Sequence, residues 1–298
     1  MESKIHSVEH SYFEIRQLCL DLTARYPFLS KRGIGRSVAG RDITALALGG
    51  GDDTVLFVGG DDPAYRVSTL VLLKFIEELC HDIRHGKDLC GLNVRKALFG
   101  RKLIFVPQLN PDGAEIAYRG KSGCSYMPQN IEQLCGGKFD TWRSNLRGVE
   151  IAKNFPYKFA QRQAELRKKG HISPAPFGFA GHRALSEPET AAFVKLCREE
   201  KIRHLICLSS GGDCVTYSGD PATPRHSEKM AEIIGAVASY EVCPPFAKAD
   251  TEICDWFTYE FSSPALCIKS GKESIPQVKD LYPLYLRLKE ALTLSAVF

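Results

Sequence analysis

Apolar positions along the chain alternate between two rhythms. Apolar residues recurring with the period of a helix predict helices over Ser11–Tyr26, Ser68–His85, Glu187–Glu200, Ser227–Ser239 and Pro283–Leu294. Between them, short β-rich runs predict strands over Ile43–Leu48, Thr54–Val58, Lys102–Val106, His204–Leu208 and Ala265–Ile268. The runs Thr54–Val58, Lys102–Val106 and His204–Leu208 are apolar almost throughout, as strands covered on both faces must be. Strands and helices that alternate in this way predict an α/β fold: a mixed, mostly parallel, twisted central sheet with helices on both faces. Ligands of such sheets bind beyond the carboxyl ends of the strands, so the chemistry is expected just after those runs. Asn110–Ala184 shows no clear period and is rich in Gly, Pro, Lys and Arg, which marks it as a long functional loop. With no repeat and no linker-like shift in composition, one domain over residues 1–298 is expected.

Composition then removes several classes of function. The 25 glycines and 16 prolines are ordinary for 298 residues, which excludes collagen-like and low-complexity chains. A net charge of +4, spread thinly, leaves no footprint for nucleic acid. The first residues lack the apolar core of a secretory leader. The most apolar run, Thr69–Ile76, is short and broken by Lys74, so no membrane segment is expected. Eleven cysteines contain no Cys-x-x-Cys pair and cannot all pair among themselves. Several, including Cys19, Cys80, Cys207 and Cys267, sit inside apolar runs, as reduced buried thiols of a cytoplasmic protein would. The oligomeric state leaves no mark on the sequence.

Four strand ends carry the candidate chemistry. Gly59-Gly60-Asp61-Asp62-Pro63-Ala64-Tyr65 follows the first run, and Pro107-Gln108-Leu109-Asn110-Pro111-Asp112-Gly113 follows the second. Ser209-Ser210-Gly211-Gly212-Asp213 and Lys269-Ser270-Gly271 follow the third and fourth. Further pieces are Trp142-Arg143-Ser144-Asn145, Arg147-Gly148-Val149-Glu150-Ile151, Ser186-Glu187-Pro188-Glu189-Thr190 and Asp255-Trp256-Phe257. In their order and spacing these pieces resemble the zinc carboxypeptidases, closest to the bacterial branch that includes γ-D-glutamyl-meso-diaminopimelate peptidases. The resemblance runs from Tyr26 almost to the C-terminus. It implies a carboxypeptidase-like α/β fold, a zinc cofactor, a glutamate base and an arginine that polarises the scissile carbonyl.

At the matched positions the residues depart from that pattern. The family's His-x-x-Glu metal motif reads Asp62-Pro63-Ala64-Tyr65, and its third ligand, a histidine, reads Ser209. The position of the glutamate base holds Lys269, and the Asn-Arg pair that grips a substrate carboxylate reads Ala152-Lys153. Catalytic zinc needs three imidazole, thiolate or carboxylate donors, and Asp62 is the one such donor in this set. The expectation is therefore no metal, no cofactor and no intact catalytic residue. His81 and His85 share a helix face without the rest of a zinc motif, and the other histidines have no ligand spacing. Asp61, Asp62 and Asp213 offer at most a weak hard-cation site or ordinary turn residues. Lys269 is expected either to pair with Asp62 in place of the metal or to lay its stem along an open cleft.

Arg143, Arg147 and Lys153 are the expected substrate-binding residues, because they keep the region positive and suited to a carboxylate-bearing ligand. Three functions fit these residues. One is a pseudoenzyme whose cleft binds peptides or cell-wall stem-peptide fragments. Another is a hydrolase with a displaced metal site, or with Ser209 or Ser210 activated by Lys269. The last is a partner-binding protein with a vestigial cleft.

Overall fold

A computed structural model describes residues 3–126, 128–243 and 252–298. Helix α1 (Tyr12–Arg25) leads into strands β1 (Leu29–Arg36), β2 (Asp42–Gly49) and β3 (Asp53–Val58). Helices α2 (Val67–His85) and α3 (Val94–Ala97) precede β4 (Arg101–Val106). Next come α4 (Pro111–Arg119), α5 (Pro128–Cys135), α6 (Phe159–Lys168) and α7 (Pro188–Glu199). The last part holds β5 (Ile202–Ser210), β6 (Cys214–Tyr217), α8 (His226–Ala238), β7 (Glu241–Val242), α9 (Glu252–Phe261), β8 (Ala265–Ser270) and α10 (Leu281–Val297). No described helix is long and apolar enough to cross a membrane.

The strands form one mixed sheet in the order β1-β2-β4-β3-β5-β8-β6-β7. The central strands β4, β3, β5 and β8 are parallel, which brings their carboxyl ends to one edge. The pairs β1/β2, β2/β4 and β6/β8 are antiparallel, so the flanks reverse direction. The alternation of side chains along each strand sorts the core into two layers. Val55, Phe57, Phe105, Ile206, Leu208 and Ile268 pack under α1, α2, α8 and α10. Leu56, Val58, Ile104, Val106, Leu205, Cys207 and Cys267 pack under α7, α9 and the turn at Ile151–Asn154.

The predicted helices and central strands appear within a few residues of their expected limits. The stretch expected as an aperiodic loop, Asn110–Ala184, instead holds α4, α5 and α6. Two of these helices close a small satellite core of Ile116, Ile131, Trp142 and Leu146 rather than covering the sheet. Their apolar stripes are too short to show a period. Strand β1 escaped notice for a related reason. It is an edge strand, mostly half-buried or exposed, and its pairing with β2 is irregular between Gly33 and Gly35.

Candidate functional site

Beyond the parallel strand ends lies a narrow cleft lined by Asp61, Asp62, Arg143 and Ser209. The loop after β3 reaches it through a tight turn. Gly60 has φ +63°, and a Cβ there would lie 2.8 Å from the Gln108 Cα. Leu109 N and Asn110 N donate to the Gly59 and Gly60 carbonyls at 3.1 and 2.8 Å, tying the loops after β3 and β4 together. Asn110 then caps α4, its Oδ1 accepting from Gly113 N at 3.0 Å. Gly113 completes the fit, since a Cβ there would meet Pro63 Cγ and the Ser144 carbonyl, each at 2.4 Å. The Asn-Pro-Asp-Gly motif thus builds the floor on which Asp61 and Asp62 stand.

Asp62 is fully engaged. Its Oδ1 accepts from Ala64 N at 3.0 Å, and its Oδ2 accepts from Arg143 Nη2 at 2.8 Å and from Ser210 Oγ at 2.9 Å. Asp61, beside it on the cleft wall, has its carboxyl pushed up to about 7, first by burial and then by the charge of Asp62. Ser209 lines the same cleft from the end of β5. Tyr65 does not join them. It turns into the core under α2, 1% exposed, and burial drives its phenol far upward.

Lys269 is buried in β8, 2% exposed, opposite Ser209 on β5 and Cys214 on β6. Among the described residues no carboxylate oxygen lies within 4.0 Å of its Nζ, and Asp62 pairs with Arg143 instead. The expected Lys269–Asp62 ion pair is therefore not formed, and Arg143 takes that place beside Asp62. Nor does Lys269 lie open to solvent. The other expected site residues disperse. Lys153 is nearly buried and pairs with Glu150 at 3.0 Å, while Arg147 is exposed and lines a neighbouring cavity with Phe179, His182 and Glu187. Arg143 alone of the three cations reaches the cleft. Asp213 is held by Gly271 N at 2.8 Å and by Arg287 at 3.3 Å. His81 and His85 lie against each other at the end of α2, their rings tilted by 44° with centroids 4.5 Å apart.

The remaining cleft wall comes from residues not singled out beforehand as a site: Glu150, Ile253 and the thiols of Cys207, Cys254 and Cys267. One signal was available. Cys207 and Cys267 occupy the same place in two parallel strands, and the structure pairs them in register. Burial pushes the Cys207 thiol up to about 11, and hydrogen bonds among the thiols together with burial push Cys254 and Cys267 well above the ordinary thiol range.

Among the described residues no group of His, Cys, Asp and Glu side chains is arranged to hold a metal ion. At the positions matched to zinc ligands, Asp62 is bound by an arginine, Tyr65 points to the opposite face of the sheet, and Ser209 offers a hydroxyl. That donor set does not fit a catalytic zinc.

The family model for zinc carboxypeptidases matches residues 15–262. A γ-D-glutamyl-L-diamino acid endopeptidase of Lysinibacillus sphaericus is 22% identical over 86% of this chain, which spans 64% of that relative's length. Among solved structures, thrombin-activatable fibrinolysis inhibitor superposes over 99% of this chain and 75% of its own, with TM-score 0.78 and 17% identity. Murein-tripeptide amidase MpaA from Escherichia coli O157 superposes over 88% of this chain and 91% of its own, with TM-score 0.53 and 15% identity. At those identities the likeness is one of fold.

Proposed function

The chain belongs to the zinc carboxypeptidase family, and from that premise we propose that it keeps the family's cleft without its zinc or its peptidase activity, and binds a peptide there. One observation carries this proposal. Asp62, the best metal donor among the matched positions, is committed to Arg143 and Ser210. Without a bound metal, no water has its pKa brought toward neutrality, and a protonated Lys269 accepts no proton from one. Terminal-carboxylate recognition is weakened as well, since Ala152 offers no side-chain hydrogen bond and Lys153 is spent on Glu150. A stem-peptide fragment is the favoured ligand, because similar proteins are named for γ-D-glutamyl-diamino acid and murein-tripeptide cleavage.

Metal analysis and calorimetry test this directly. The expected result is zinc well below stoichiometric, no hydrolysis of peptide or γ-glutamyl substrates, and measurable heat on titrating stem-peptide fragments. Stoichiometric zinc or turnover would overturn it.

A specific observation also favours a serine hydrolase as the alternative. Ser209 and Lys269 are register partners on parallel strands and so emerge on one face, and among the described residues no carboxylate oxygen lies within 4.0 Å of the Lys269 Nζ. Labelling of the wild type by a fluorophosphonate probe, lost in Ser209→Ala, would replace the binding role with this one.

A further inference from the structure

The cleft thiols have no part in peptide binding as proposed above, and their arrangement is independent of it. Cys207 and Cys267 stand side by side on β5 and β8, and Cys254 descends from α9 over them. The Cys254 thiol donates to Cys207 Sγ at 3.7 Å, and Cys267 lies near enough to perturb Cys254 in turn. All three border the cleft and are nearly buried, Cys207 at 5% exposed and Cys254 at 1%, so a solute as small as hydrogen peroxide comes in from the Cys207 side. A disulfide needs the sulfurs at about 2.05 Å, a closing movement of roughly 1.7 Å from the present contact.

We propose that Cys207 and Cys254 form a peroxide-oxidisable pair whose disulfide ties α9 to β5 across the cleft wall. In the first step the Cys207 thiolate attacks one peroxide oxygen and breaks the O–O bond. Its sulfur becomes a sulfenic acid, and the departing hydroxide takes up the proton that the thiol released, giving water. Cys254 then attacks the sulfenic sulfur; the S–S bond forms, and hydroxyl leaves as a second water with the Cys254 proton. Two thiols and one hydrogen peroxide thus give one disulfide and two waters. Cys207 is the attacking group because the Cys254 thiol donates to its sulfur, which favours its thiolate over that of Cys254.

The groups facing Cys207 slow this reaction at neutral pH. Burial disfavours its thiolate most, Cys254 from α9 favours it by donating, Cys267 from β8, Asp61 from the loop after β3 and Cys197 from α7 disfavour it further, and Lys269 acts on Cys267. The rate should therefore climb by about tenfold per pH unit below the thiol pKa. Ile253, beside Cys254 on α9, lines the same cleft, so the bond fixes that wall.

The test treats the full native chain with hydrogen peroxide at pH 7 and pH 9, blocks remaining thiols by alkylation, and maps peptides by mass spectrometry. A Cys207–Cys254 link that forms faster at pH 9 is expected. Cys267→Ser should keep the link. Cys254→Ser should lose it and leave a sulfenic acid at Cys207 that dimedone traps. Should a variant fail to fold, the wild-type map still decides. A link to Cys267 instead, or cleft thiols that stay reduced while the exposed Cys90 oxidises, overturns the proposal.

Discussion

Two buried polar clusters in this protein are built from neighbouring motifs, yet they close very differently. In the first, Asp112 is 0% exposed and accepts from Ser37 Oγ at 2.7 Å, Ala39 N at 2.8 Å and Arg41 Nη1 at 2.6 Å. Nearby, Asn145 Nδ2 donates to Glu187 and Glu189 at 2.8 and 3.1 Å, while its Oδ1 accepts from Arg147 N and Val149 N. These contacts hold loops in place. In the second cluster, along the cleft, Asp61 is pushed toward protonation, Lys269 lacks a carboxylate within 4.0 Å among the described residues, and Asp62 is met by an arginine. The first cluster is closed by hydrogen bonds to backbone and to buried partners, whereas in the second Asp61, Asp62 and Ser209 line the cleft. A loop fastener is paid for by its own hydrogen bonds, whereas a ligand-facing group is stabilised by something outside the chain.

The sharpest way to break this contrast is to remove a fastener. Asp112→Ala should cost about 3–5 kcal/mol, since it leaves the Arg41 guanidinium without its buried partner and frees the Ala39 amide. Urea unfolding measures it, and a loss no larger than that at Asp62 would erase the distinction.

The next effect belongs to pH. Burial pushes the Glu189 carboxyl up to about 7 from the ordinary 4.5. Between those values the unfolded chain has already released a proton that the native state keeps, so stability falls as pH rises through the window and levels above 7. The full difference is of the order of 3 kcal/mol. Glu189→Gln should flatten the urea midpoint across that window. Asp61 is raised in the same direction, so adding Asp61→Asn should remove its share of the slope as well, leaving the opposite slope of His204, whose imidazole is lowered to about 4 by burial.

Asp62→Ala should cost less than Asp112→Ala, about 1–2 kcal/mol, because the Arg143 side chain is 33% exposed and turns to water when its partner is gone. The same urea experiment places the two carboxylates on one scale.

How much of this was legible beforehand follows from what each signal encodes. Strands β3, β4 and β5 announced themselves because both faces are buried, which forces nearly unbroken apolar runs. Strands β6 and β7, with four and two residues, are too short to carry a pattern. Helix α4 was readable in principle, since Asn110 and Pro111 form a cap followed by proline at the first helical position. In the site, the sequence puts Asp62 and Ser209 just after strands and Arg143 in the long loop, and the structure brings the three to one cleft. The sequence could not show that Tyr65 turns to the other face or that Arg147 opens into a separate cavity, because the turn geometry of a loop decides which way each side chain points. Nor could it show that Asp62 takes Arg143 as its ion-pair partner rather than Lys269.

Lys269 gives a prediction of opposite sign. A buried ammonium without a carboxylate partner bears a desolvation cost that an isosteric apolar chain does not, so Lys269→Met should raise stability by about 1 kcal/mol. Fasteners and cleft residues would then differ in sign as well as size. A loss of stability in this variant would mean that Lys269 is fastening the strand ends after all.

The smallest effect is expected at Arg147, and it shows where the boundary between the two clusters runs. Its guanidinium approaches Glu187 at 3.7 Å with 53% of the side chain exposed, a geometry in which Coulomb attraction is screened and side-chain entropy opposes the contact. Glu187 does not depend on it, since Asn145 Nδ2 and Ser186 Oγ donate to its two oxygens at 2.8 and 2.7 Å. Arg147→Ala should therefore change stability by less than about 0.5 kcal/mol and leave its salt dependence nearly unchanged. The backbone amide of Arg147 still donates to Asn145 Oδ1 at 2.9 Å in that variant, so the motif holds its turn through the main chain. A larger loss, fading as salt is added, would place the Arg147 side chain among the fasteners and move the neighbouring cavity to the structural side of the division.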